Sequence, residues 1–213
     1  MTETTRTAAR RRGRPPASDS ALTRERILRA ARRLFADIGY EATTFQAIAT
    51  EIGRTRPSIN IYFANKSALY DEVLARAGEA VAAAIRAAEA APTLGDQIVE
   101  FIRVVFGGQG VQDRDSALAG FLVQSAMEAR HMPPERDPVV IIERFVREAV
   151  AAAIGRGELG ANADTDALTD ALTGVLWGAA VQVSRRLRPD RVRADRMLGQ
   201  LDALLDRGMR HAG

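Results

Sequence analysis

Apolar residues recur at helical spacing along almost the whole chain, and this pattern limits the possible fold more than any other feature. Ile27, Ala31, Leu34 and Ile38 form one apolar stripe, and later segments repeat the same period. Prolines fall between these segments, where helix breakers belong. No long stretch alternates with a period of two. The sequence therefore predicts an all-α protein of about nine helices.

Charge and composition divide the chain into three parts. Residues 1–66 hold 12 arginines, one lysine and six acidic residues, a net charge of +7, whereas residues 67–213 hold 17 arginines and 21 acidic residues, a net charge of −4. Residues 1–20 contain almost no large apolar side chain, so we expect a basic arm that is disordered when free. Residues 21–66 then form a polyanion-binding domain, and residues 67–213 form a body with another task.

The composition also excludes several classes of protein. A chain of 213 residues with 46% hydrophobic content can bury a sizeable core. It has no cysteine, and therefore no disulfide framework, thiolate metal site or thiol nucleophile. No apolar run approaches the ~20 residues of a membrane span, and no apolar stretch follows the basic N-terminus as in a signal peptide. We expect a cytoplasmic protein without membrane contact.

The segment Thr43–Leu69 has the spacing of a helix–turn–helix. Thr44 and Thr55 can each cap a short helix, Gly53 can take the conformation of the turn between them, and Asn65 can cap a following helix. In such a unit the second helix enters the major groove of DNA, where its first residues meet base edges. An ordinary helical hairpin with polar residues facing water is the alternative.

The whole N-terminal third, about residues 21–70, resembles the TetR family of bacterial transcriptional repressors. The resemblance rests on Gly39, Thr43, Thr44, Ile48, Ala49, Gly53, Tyr62, Phe63, Asn65, Lys66 and Leu69. It implies a three-helix DNA-binding domain, followed by a helical body for ligand binding and dimerisation.

The resemblance also implies DNA contacts at the matching positions. Thr44, Tyr62 and Lys66 would contact phosphates, the last from the N-terminus of the fourth helix. The residues that would face the bases are Gln46, Arg56, Pro57, Ser58 and Ile61. Arg56 could pair with a guanine through two hydrogen bonds, and Pro57 and Ile61 could contact thymine methyl groups. Asn60 departs from the family, which often has an aromatic residue there, and could bind a phosphate or an adenine edge.

A basic run, Arg10–Pro16, precedes the first helix. Its centre, Arg12–Pro15, resembles the core of an AT-hook, because prolines keep the chain extended and glycine allows close approach to a narrow, electronegative minor groove. We predict minor-groove contacts from Arg10, Arg11, Arg12, Gly13 and Arg14. A solvated tail is the alternative.

For the body, the resemblance implies a cavity that binds a largely apolar small molecule. Candidate walls are Phe101, Val105, Phe121, Met127, Phe145 and Trp177, and candidate polar anchors are Gln124, Ser125, Glu128 and His131. Ordinary core packing is the alternative for each. The last two helices, 165–188 and 192–209, resemble the family's dimer-forming pair, with candidate interface residues Trp177, Val181, Leu198, Leu201 and Leu205. A homodimer would bind a palindromic double-stranded operator and be released by its ligand.

One pattern suggests different chemistry. Glu128 and His131 form a single Glu-x-x-His, which is half of the diiron arrangement of helical bundles. Because no second pair exists, we expect no metal and no cofactor. Neither histidine, His131 or His211, has a recognisable nucleophile elbow near it, so we expect no catalytic residue. A helical enzyme or metal carrier that uses the Glu-x-x-His pair remains one alternative function. An architectural DNA-binding protein without a ligand switch is the other.

Overall fold

A computed structural model describes residues 17–106, 116–128 and 137–184, together with Gly199, Gln200 and Ala203. The described residues form eight α helices and no strand, which confirms the all-α prediction. The helices are α1 (Ala17–Ala42), α2 (Phe45–Glu51), α3 (Arg56–Asn60), α4 (Lys66–Glu89), α5 (Leu94–Phe106), α6 (Ser116–Glu128), α7 (Pro138–Gly155) and α8 (Thr165–Ser184). Of the predicted ninth helix only Gly199, Gln200 and Ala203 are described, and they are helical. The basic run Arg10–Pro16 lies outside the described residues.

Helix α1 begins at Ala17, so it includes the last four residues of the segment 1–20, which the sequence predicts to be a disordered arm. This first turn has no large apolar side chain, so the apolar pattern does not predict it. Asp19 stabilises it, because a carboxylate interacts favourably with the positive end of the helix dipole. At the other end, Gly39 interrupts the helix, with φ 78° and ψ 173°. The chain makes one further turn, to Ala42, before α2.

The caps of α2, α3 and α4 follow local sequence signals. The Thr44 hydroxyl accepts a 3.1 Å hydrogen bond from the Ala47 amide, and Gly53 forms the turn at φ 65°. Asn65 caps α4 by accepting a 2.8 Å bond from the Ala68 amide. Thr55 occupies the N-cap position of α3, but its hydroxyl makes no bond to a backbone amide.

One continuous apolar core runs from α1–α4 into the body. Ile27, Phe35, Ile48, Ile59 and Leu69 are fully or almost fully buried around the helix–turn–helix. Each such side chain contributes about 1.5–3 kcal/mol relative to leaving it in water. Burial of Ile48 and Ile59 orients α2 and α3 and leaves their polar faces outward.

The body is a bundle in which α5, α6 and α7 pack against α8 and one another. Phe101 of α5 stacks on Phe145 of α7 with ring centroids 5.2 Å apart. Helix α6 also packs extensively on α1, so the body and the helix–turn–helix domain share an interface. Among the described helices, none has the length and apolar content needed to cross a bilayer.

Candidate nucleic-acid interface

The outer face of α3 carries the residues predicted to meet bases. Arg56, Pro57 and Asn60 are exposed, and Ile61, directly after the helix, is 80% exposed. Ser58 is half-buried, and its hydroxyl lies 2.9 Å from the Thr55 hydroxyl. The structure therefore brings this predicted set together on one side of a short, anchored helix.

The N-terminal end of α2 adds two exposed polar residues. Thr44 uses its hydroxyl oxygen as the cap acceptor, which leaves the hydroxyl hydrogen for an outside acceptor. Gln46, the second residue of α2, is exposed, and its side-chain Nε2 lies 3.4 Å from the Thr50 hydroxyl. Both predicted positions are therefore accessible to DNA.

Lys66 makes contacts that the sequence did not indicate. Its ammonium group donates to the carbonyl oxygens of Tyr40 at 2.7 Å and Glu41 at 3.1 Å, and lies 4.2 Å from the centroid of the Tyr40 ring. The side chain thus ties the end of α1 to the start of α4. An ammonium group has three donors, so one N–H remains for the predicted phosphate. Tyr62, the third predicted phosphate contact, is half-buried against the core.

An ion-pair network behind α3 was also missed. Arg24 of α1 forms two hydrogen bonds with the Glu72 carboxylate of α4, and its guanidinium lies 4.8 Å from the centroid of the Phe63 ring. The Arg24 hydrogen bonds hold the pKa of Glu72 below its usual value. Arg76 extends the network to Glu25 at 2.8 Å. The end of the helix–turn–helix is thereby held between α1 and α4.

Gln124 and Glu128, predicted as ligand anchors, face the bend in α1. Glu128 Oε1 accepts hydrogen bonds from the Tyr40 amide at 2.8 Å and from Gln124 Nε2 at 3.1 Å. A Cβ atom on Gly39 would lie only 2.7 Å from the same oxygen. Glycine is therefore needed at this bend for both its conformation and its lack of a side chain.

The other predicted ligand and interface residues fall into separate environments. Phe101, Val105, Phe121, Phe145 and Ser125 are buried, Trp177 and Val181 are half-buried on α8, and Met127 is 77% exposed. Phe121 packs with Phe35 of α1 and Tyr70 of α4, whereas Phe101 stacks on Phe145. His131, Leu198, Leu201 and Leu205 lie outside the described residues. Within the described ranges, no three acidic or histidine residues cluster as metal ligands.

The segment that contains the helix–turn–helix matches a known protein family. Residues 27–73 match the model of the family described as bacterial regulatory proteins, tetR family. No curated protein matches the chain significantly.

Several solved structures, among them regulators, resemble this chain over most of its length. The ketosteroid transcriptional regulator KstR2 of Mycobacterium tuberculosis is 17% identical, with a TM-score of 0.66 over 85% of this chain and 93% of that one. A gamma-butyrolactone receptor is 21% identical, with a TM-score of 0.65 over 90% and 99%. A cysteine mutant of the TetR family regulator CifR, complexed with 26-bp operator DNA, is 24% identical, with a TM-score of 0.63 over 94% and 100%. At these identities, the likeness establishes the fold.

Proposed function

We propose that the chain is a member of the tetR family of bacterial regulatory proteins, whose model matches residues 27–73, and that it is a homodimeric repressor released from a palindromic operator by a small-molecule ligand. The observation that carries this proposal is the family-matched segment 27–73, whose α3 presents Arg56, Asn60 and Ile61 to solvent. We also propose that the regulator acts in the cytoplasm. We do not propose an enzyme, because Glu128, half of the Glu-x-x-His pair, accepts a hydrogen bond from the Tyr40 amide.

Base reading would be divided among the exposed residues of α3. The Arg56 guanidinium can donate two parallel hydrogen bonds to a guanine, a contact worth about 1–3 kcal/mol of discrimination. Ile61 offers an apolar surface to a thymine methyl group. Asn60 can donate to and accept from an adenine edge, so this departure from the family pattern would alter operator preference.

Dimerisation would use the outer face of α8. Trp177 and Val181 are only half-buried within one chain, and α8 is apolar on more than one face. A second copy would complete their burial in a four-helix arrangement with the predicted helix 192–209. The two α3 helices would then enter major grooves about 34–36 Å apart, one helical turn of DNA.

Ligand release would pass through the contact between α6 and the bend of α1. Glu128 of α6 holds the Tyr40 amide, while Lys66 of α4 holds the Tyr40 carbonyl. A ligand that shifts α6 would alter the hydrogen bond at the Tyr40 amide and so move the bend of α1 and, with it, α3. The ligand acts only as far as it binds the released conformation more tightly than the DNA-bound one.

Selection of bound fragments from random duplex DNA tests the proposal. We expect a palindrome with half-sites one helical turn apart, and Arg56→Ala should lose preference at one position of each half-site. Arg144→Ala, an exposed arginine on α7, is the matched control. Binding without sequence preference, unaffected by any compound, would favour an architectural protein. A bound metal with no DNA binding would favour the enzyme or carrier.

A further inference from the structure

Three arginines of α1 line one cleft with the end of α2. Arg26, Arg29 and Arg33 line an open surface cleft of about 300 Å³ together with Glu51 and Ile52. Their spacing of three and four residues places them on the same face of the helix. Glu51 is the one carboxylate among the residues that line this cleft, so the lining carries a net positive charge. We call the three arginines the arginine row.

Two members of the arginine row are already oriented by weak contacts. Arg26 Nη2 donates to the Ile52 carbonyl at 3.3 Å, and Arg33 Nη2 lies 3.0 Å from Glu51 Oε1. Each guanidinium has five N–H donors, so one such contact leaves most of them for another acceptor. Both arginines are exposed, and an anion can reach them without disturbing the core.

The position of the cleft relative to α3 indicates its partner. Ile52 precedes Arg56 by four residues, so the cleft lies within about 14 Å of the first residue of α3. From Arg26 to Arg33 the row extends about 10.5 Å along the helix axis. One DNA strand carries a phosphate about every 3.4 Å along the duplex axis. The row is therefore long enough to span about three successive phosphates of one strand beside the groove that α3 would enter.

We propose that the arginine row binds the DNA backbone that flanks the base pairs read by α3. This contact is additional to those of Thr44, Tyr62 and Lys66 and to those of the basic run Arg10–Pro16. It rests on the proposed DNA-binding function and contributes affinity without sequence preference, because phosphates are the same at every base pair. Glu51 competes with the phosphates for Arg33 and so limits the affinity.

The test measures operator affinity of the full chain against salt concentration. Arg26→Ala/Arg33→Ala removes two exposed side chains, and we expect the slope of log K against log salt to become shallower by about 1.8, at roughly 0.9 per phosphate contact. The ratio of specific to non-specific binding should stay unchanged. Glu51→Gln should strengthen binding, and Arg144→Ala on α7 should change neither quantity.

Failure of this inference is distinguishable from failure of the proposed function. If the double variant keeps the wild-type slope while Arg56→Ala loses sequence preference, the arginine row does not bind DNA although the protein does. Weaker binding at an unchanged slope would mean that the row only supports the fold, which also overturns the inference; thermal unfolding would then show the lost stability. A wild-type chain that binds no DNA overturns both.

Discussion

The main-chain N–H of Tyr40 donates a 2.8 Å hydrogen bond to the carboxylate of Glu128, 88 residues later in the chain. The carbonyl of the same residue accepts a bond from Lys66 at 2.7 Å. One residue at the bend of α1 is therefore held by α6 on one side and by α4 on the other. Any change in the relative position of α6 and α4 must alter this bend, and α2 begins only five residues after Tyr40.

Gly39→Ala should destabilise the protein. At φ 78° and ψ 173° the backbone is in a region essentially restricted to glycine, and the new Cβ would lie 2.7 Å from Glu128 Oε1. We expect a loss of about 1–3 kcal/mol in the free energy of unfolding, measured with denaturant. Gly78→Ala on α4 is the control: nothing lies within 4 Å of its added Cβ, so it should stabilise by up to about 1 kcal/mol. Equal effects would contradict this account of the bend.

Glu128→Ala should cost about 1–3 kcal/mol of stability, because it leaves the Tyr40 amide without its acceptor. Glu128→Gln should cost less, since the amide oxygen can still accept that bond. Both changes are followed by chemical denaturation, with Glu148→Gln, at an exposed site on α7, as control. An alanine variant as stable as the wild type would show that this bond does not hold the bend.

In the Glu72→Gln variant, the free energy of unfolding should depend less steeply on pH in the acid range. Hydrogen bonding to Arg24 lowers the pKa of Glu72 in the folded protein. Its stabilising contribution is therefore complete above the unfolded pKa of about 4.3 and disappears as the pH falls through the lower folded pKa. Unfolding measured from pH 6 down to about pH 2 should show a shallower slope in the variant. Glu79→Gln, at an exposed position of the same helix, should keep the wild-type slope.

Lys66→Ala should affect both stability and DNA binding. It removes two hydrogen bonds that the charged ammonium group donates to the carbonyls of Tyr40 and Glu41. The free energy of unfolding should therefore fall by about 1.5–3 kcal/mol. If the remaining N–H binds a phosphate, as predicted, the salt slope of operator binding should fall by about 0.9. An unchanged slope together with lost stability would limit Lys66 to its structural role.

Deletion of residues 1–16 should weaken operator binding and lower its salt dependence. The deletion removes Arg6 together with the four arginines of the basic run, Arg10, Arg11, Arg12 and Arg14. If each of those four reaches one phosphate, the slope should fall by about 3.6. Replacing A·T pairs beside each half-site with G·C pairs should weaken the wild type more than the deletion variant, because the narrow A·T groove would be the binding site. Unchanged affinity and slope would identify the run as a solvated tail.

The helix–turn–helix could be predicted from the sequence because its signals are local. Thr44 and Asn65 bond to amides three residues away, and the conformation of Gly53 depends on its own missing side chain. The burial of Ile48 and Ile59 follows from helical period. Interactions within a few residues leave a pattern in the sequence, and that pattern determined the helices, the turn and the polar face of α3.

Tertiary structure alone decided which charged side chains hold the domains together. Lys66 is bonded to carbonyls 25 and 26 residues upstream, Arg24 to a carboxylate 48 residues downstream, and Glu128 to an amide 88 residues upstream. Backbone acceptors and donors are the same for every residue type, so nothing in the sequence marks them as partners. These contacts follow only from how the helices pack, because packing determines which charged groups come within hydrogen-bonding distance.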